Sequence, residues 1–107
     1  MKVVLILALL IQSPWTYLGK RPEGTIFFKL RNESLINISG NPLVTFKYKR
    51  GENEKIVQWE FDCKKGMARP VAEGPSREDL EPIEYGWFTP DKTSMAGIMV
   101  KDVCRGE

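Results

Sequence analysis

Apolar and polar residues alternate with a period of two over most of the chain. The clearest stretch runs from Leu43 to Arg50, with Val44, Phe46 and Tyr48 on one face and Thr45, Lys47 and Lys49 on the other. Lys55 to Cys63 repeats the pattern, placing Val57, Trp59, Phe61 and Cys63 together and Gln58, Glu60 and Asp62 opposite. A two-residue period with one polar side is the mark of a half-buried antiparallel strand. Arg50 to Glu54 reads as the loop between these two strands. Lys47 and Lys49 are expected to pair with Glu60 and Asp62 across the solvent face.

Shorter runs flank this pair. Trp15 to Gly19 alternates briefly, Lys20 to Gly24 is turn chemistry, and Thr25 to Leu30 has the β-branched and aromatic content of a strand. Leu35 to Ile38 is a weaker strand ending in the turn signal Ser39-Gly40-Asn41-Pro42. After the tight connection Lys64-Lys65-Gly66, Met67 to Ala72 forms a further strand, with Pro70 at an edge or a bulge. Glu73 to Glu84 reads as a long surface loop with room for a helical turn at Ser76 to Leu80. Tyr85 to Phe88 returns to strand-like composition.

Met95 to Cys104 changes period. Ala96, Val100, Val103 and Cys104 recur at helical spacings of three and four, behind an N-cap at Ser94 or Thr93. Lys101 and Arg105 lie near its C-terminal end, where the helix dipole favours cations. Gly97 is a poor helix former, but it would let the helix approach the sheet closely. The expectation is an α+β fold: a single small antiparallel sheet of five or six strands with one C-terminal helix packed on one face. Val44, Phe46, Val57, Trp59 and Phe61 form the core beneath Val100 and Val103.

The first residues have another character. One lysine precedes nine consecutive apolar residues, Val3 to Ile11. This is the layout of a secretory signal, and it is shorter than the about 20 apolar residues of a membrane-spanning helix. Residues 1–13 are therefore read as a signal peptide and 14–107 as the folded domain. Pro14 follows the small Ser13 and makes a poor cleavage site, so inefficient cleavage and retention as a membrane tether are both open. No Cys follows the run, so no lipid anchor is expected. The expected location is outside the cytoplasm: periplasm, outer membrane surface or secreted.

Export decides how the two cysteines are read. In an oxidising compartment an even count suggests a disulfide, and two cysteines allow only Cys63–Cys104. Since Cys63 belongs to the apolar face, the helix must cross that face for Cys104 to reach it.

Composition excludes more than it assigns. The 107 residues contain no His, which removes His-based acid–base, nucleophile and metal chemistry. No catalytic residue, cofactor site or metal site is expected. With 16 Lys+Arg against 14 Asp+Glu, the net charge of +2 gives no case for nucleic acid. Tyr48 points away from Lys47 and Lys49, so Lys47-Tyr48-Lys49-Arg50 lacks the shared aromatic and cationic surface of a nucleic-acid site. Charge is uneven along the chain, with 11 basic and 6 acidic residues from Lys20 to Arg69 and 4 basic and 8 acidic from Pro70 to Glu107. Internal pairing of the two parts is preferred to a basic face for an acidic ligand. Trp15, Trp59 and Trp87 are read as core or interface residues. Glu78 and Asp79 are read as solvated. Asn32-Glu33-Ser34 and Asn37-Ile38-Ser39 match the glycosylation pattern, but chance matches to so short a pattern are common.

Several elements in order resemble the bacterial surface-adhesin protein E-like family. They are Trp15 just after a signal peptide, Glu23-Gly24-Thr25 leading into an aromatic strand, the Ser39-Gly40-Asn41 turn and Trp59-Glu60-Phe61-Asp62-Cys63. Trp87, Pro90 and Ser94 then precede a helix that ends in Val103-Cys104. The resemblance spans Trp15 to Cys104, and Trp59 to Cys63 is its most specific part. Pro14 and Pro42 depart from the pattern. The resemblance implies a small antiparallel sheet and a C-terminal helix joined by one disulfide, a homodimer, and binding of host matrix proteins such as vitronectin and laminin. It carries no catalytic motif, and only Cys63 and Cys104 transfer as functional residues. The expected function is that of an exported non-enzymatic binding protein. The alternative is a periplasmic structural or accessory protein on the same scaffold without a host ligand.

Overall fold

The computed structural model describes residues 13–105. The apolar run read as a signal peptide lies in residues 1–12, outside the described residues. The rest forms one antiparallel sheet of seven strands and one helix: β1 (Trp15–Lys20), β2 (Ile26–Leu30), β3 (Leu35–Ile36), β4 (Pro42–Arg50), β5 (Asn53–Asp62), β6 (Met67–Gly74), β7 (Glu81–Pro82) and α1 (Met95–Val103). The strand order is β1-β2-β4-β5-β6-β7, with β3 paired to β4 beyond the end of β2.

The strand count exceeds the expected five or six because a segment read as a loop also pairs, for two residues, as β7. Ala72 and Glu73 of β6 face Pro82 and Glu81 of β7, inside the segment read as a long loop. Leu35 and Ile36 of β3 face Leu43 and Pro42. The weak strand read at Leu35 to Ile38 thus forms but stops after two residues, whereas β7 has too little alternation to register in a sequence pattern. Conversely, Tyr85 to Phe88 does not form a strand; only Phe88 bridges to Ala68, through N–H···O bonds of 3.0 and 3.1 Å. The loop expected at Arg50 to Glu54 shrinks to Gly51-Glu52, since Arg50 already pairs with Asn53. Gly51 takes φ +62°, a left-handed value that glycine adopts without a Cβ penalty. Pro70 sits beside an irregularity in the β5–β6 register, where its missing N–H costs no ladder bond.

The expected core forms. Val44, Phe46, Val57, Trp59 and Phe61 are buried on one face, joined by Phe27, Ala68 and Met99. Val100 and Val103 pack against them from α1, as do Ala96 and Cys104. The helix residue buried most deeply is Met99, at 1% exposure, although the period alone drew no attention to it.

Two devices hold the helix. Ser94 is its N-cap, accepting from the Gly97 N–H at 3.1 Å, while Thr93 turns back to Asp91. At the other end Cys63 and Cys104 form a disulfide with Cα atoms 5.4 Å apart. Gly97 does not serve a helix–sheet contact. A Cβ there would meet the Asp91 carbonyl oxygen at 2.0 Å, so glycine is required by the turn that folds back on the helix.

Two measurements follow. Trp59→Ala should destabilise the fold by about 3–5 kcal/mol, the usual result of emptying a large aromatic site, and chemical denaturation reads it. Replacing both cysteines by serine should cost about 4 kcal/mol, because the bond spans 41 positions and its loss frees that loop in the unfolded chain.

Candidate functional site

The sheet face opposite α1 is not the simple wet face that alternation suggested. Leu30, Thr45, Ile56 and Glu60 are all buried. Glu60 is the telling one, an ionisable side chain left 4% exposed. It lies opposite Leu43 on β4 and Arg69 on β6. The expected pairing of Lys47 and Lys49 with Glu60 and Asp62 is therefore absent: the register sets Lys47 opposite Ile56 and Lys49 opposite Glu54. The hairpin turn at Gly51-Glu52 fixes that register, and alternation within each strand could not supply it.

Glu60 is satisfied from three directions. Arg69 donates to Oε1 through Nε at 3.0 Å and Nη2 at 2.9 Å. Asn41 donates to Oε2 at 3.0 Å, and Asn37 donates to the same oxygen. Burial pushes the carboxyl up, but the bonds from Asn41, Arg69 and Asn37 and the Arg69 charge together outweigh it and hold Glu60 below its usual range. The Arg69 guanidinium in turn lies 4.5 Å over the Trp87 ring.

Asn37 works at both ends. Its Oδ1 accepts from the Ser39 N–H at 3.0 Å and the Asn41 N–H at 2.9 Å, while its amide reaches Glu60. The backbone closes the same loop, Asn37 N–H to Asn41 carbonyl at 2.9 Å and Gly40 N–H to Asn37 carbonyl at 2.9 Å. A few residues upstream, Glu33 accepts from the Thr45 N–H at 2.6 Å and the Thr45 hydroxyl at 2.8 Å. That N–H faces the gap where β4 has left β2 and not yet met β3, so Glu33 stands in for a missing strand partner.

The segment 33–41 is thus pinned by carboxylates on either side of β3. What it presents outward is apolar: Leu35 is 48% exposed, Ile36 67% and Ile38 fully exposed. Three large aliphatic side chains therefore stand in water on a segment held by hydrogen bonds at both ends. Sequence reading found the weak strand and the turn here but not the exposure, which depends on β3 ending after two residues.

The remaining residues fall as follows. Tyr48 points to the core side, where it packs on Phe27 at 4.5 Å and accepts from the Trp59 indole N–H at 2.9 Å. Lys47 points to the other side, 5.1 Å from the Trp15 ring centre and 4.9 Å from that of Phe28. The expected internal pairing of basic and acidic parts occurs at Lys29–Asp102, 2.6 Å, and Lys55–Glu73, 2.9 Å. No helix among the described residues is long and apolar enough to cross a membrane. The disulfide is compatible with an exported protein.

The Glu60 network carries a pH dependence. A carboxyl held low in the fold adds stability that is complete above its ordinary value of 4.5 and is lost as pH falls through its lowered value. Thermal unfolding should therefore show the midpoint dropping below about pH 4.5. Glu60→Gln should lower the midpoint at pH 7, where the ion pair is lost, and flatten the acid limb.

Comparison of the chain with known protein families, with curated proteins and with solved structures finds no match in any of the three.

Proposed function

We propose that this chain is an exported, non-enzymatic binding protein that engages a protein partner through the apolar loop around β3. The observation that carries this reading is the set of hydrogen bonds that anchors that loop beneath its exposed apolar side chains. Leu35, Ile36 and Ile38 are exposed, while Asn37 between them is tied to Glu60 and to its own turn. Apolar side chains held in place lose little conformational freedom on binding, so more of their burial is realised as affinity. The resemblance to the surface-adhesin protein E-like family supports an extracellular protein as partner, with vitronectin and laminin as the first to test. It also supports a homodimer, and the outer edge of β1, unpaired among the described residues, is one on which a second copy could pair.

The test is a paired substitution. The purified chain should bind immobilised vitronectin or laminin, and Ile36→Asp combined with Ile38→Asp should weaken that binding by at least about tenfold. The thermal midpoint should stay unchanged, because neither side chain packs in the fold. Light scattering of the same samples reads the oligomeric state. A chain that binds neither protein leaves the structural or accessory role on this scaffold as the standing alternative.

A further inference from the structure

A second surface feature lies on the opposite side of the sheet and is unrelated to the β3 loop. Between the N-terminal half of α1 and the β1–β2 turn is a cleft of about 400 Å³. That volume falls within the range of small-molecule sites. Its walls are largely apolar, formed by Phe27, Trp59, Phe88, Met95 and Met99. Lys20 and Arg21 stand at its rim.

Three details say what kind of molecule fits. The first is the Tyr48 hydroxyl, which borders the cleft. It accepts from the Trp59 indole at 2.9 Å, and among the described residues no acceptor takes its own proton. A phenol has one proton to give, so a hydrogen bond is left on offer. Burial pushes this phenol up to about 12, which keeps the proton in place. The second is charge. No Asp or Glu lines the cleft, and the first turn of α1 carries no acidic side chain; the Glu73 carboxylate, whose charge reaches Tyr48, is outside the lining and paired with Lys55 at 2.9 Å. Of the two cations, Arg21 is shared with Glu23 at 3.4 Å, and Lys20 has no ion-pair partner among the described residues. The third is depth. Phe27 and Trp59 are core residues, yet both reach the cleft wall, so an apolar body entering here continues the core.

From the juxtaposition of apolar walls, an unused phenol proton and a rim that is cationic without being acidic, we infer that this cleft binds a small amphiphile with a hydrocarbon body and an anionic carboxylate head. The hydrocarbon lies between α1 and the Phe27–Trp59 wall. The carboxylate accepts from Tyr48 and is attracted by Lys20.

The experiment uses the full chain and three ten-carbon probes below their micelle concentrations: decanoate, decanol and decyltrimethylammonium. Decanoate should bind saturably and shift the Trp59 indole N–H resonance. Decanol should bind more weakly, and the cationic probe weakest of all. Tyr48→Phe keeps the ring and removes the donor, and should weaken decanoate by about tenfold, the usual worth of a hydrogen bond to a charged group, and decanol by less. Because that change also removes the acceptor for Trp59, Lys20→Gln serves as a second variant on an exposed residue. It should weaken decanoate several-fold without moving the thermal midpoint. The inference is overturned if decanoate leaves Trp59 unshifted, if the three probes bind alike, or if both variants bind decanoate as the parent does.

Discussion

The outer half of this protein depends on one buried carboxylate. Burying an anion is costly unless donors surround it, and removing any one of them leaves charge unpaired in a poor solvent. Glu60 sits in the middle of the sheet and receives Arg69 from β6, Asn41 from just before β4 and Asn37 from the turn after β3. Arg69 is held by the pairing of β6 with β5, whereas Asn37 and Asn41 belong to a segment with little regular structure to hold it. Arg69 passes the constraint on to Trp87, in a stretch that makes only one bridge to the sheet. The carboxylate thus orders loops that hydrophobic packing does not reach. The α1 side works the other way, with aromatic and aliphatic burial setting the structure and Cys63–Cys104 closing it.

This division explains what was legible in the sequence. The core face was, because Val44, Phe46, Val57, Trp59 and Phe61 occupy alternate positions of long strands, and period-two patterning reports burial directly. The disulfide and the Ser94 cap were legible because each depends on residue type and local spacing. The other face was not. Glu60 and Asp62 look alike in an alternating strand, and the difference between a buried hub and a surface acid comes from Asn37 and Arg69, which lie far from it in sequence. Cross-strand register is equally silent: Lys47 was assigned acidic neighbours, whereas it lies over Trp15 and Phe28. The apolar β3 loop looked like an ordinary weak strand because exposure follows from where pairing stops.

Asn37 illustrates how one residue can mislead. Its sequence context matches a glycosylation acceptor, yet both ends of its amide are already engaged, one by its own turn and one by Glu60. A sugar on that nitrogen would displace the donor from the carboxylate and undo the loop. In the same way Gly97 looked like a packing contact and is instead a steric necessity of the turn before the helix.

The helix is fastened unequally along its length. Its C-terminal end is joined covalently to Cys63, just after β5, and drawn to β2 by Lys29 and Asp102, whereas among the described residues its N-terminal end bears on the sheet through side-chain packing alone. A rod anchored at one end moves as a lever about that fulcrum. With nine residues the arm is about 13 Å long, so a tilt of a few degrees at Cys104 becomes a displacement approaching an ångström at Met95. The covalent link therefore sets which end of the helix could part from the sheet more easily: any opening would start at Met95, where packing alone holds, and not at Cys104.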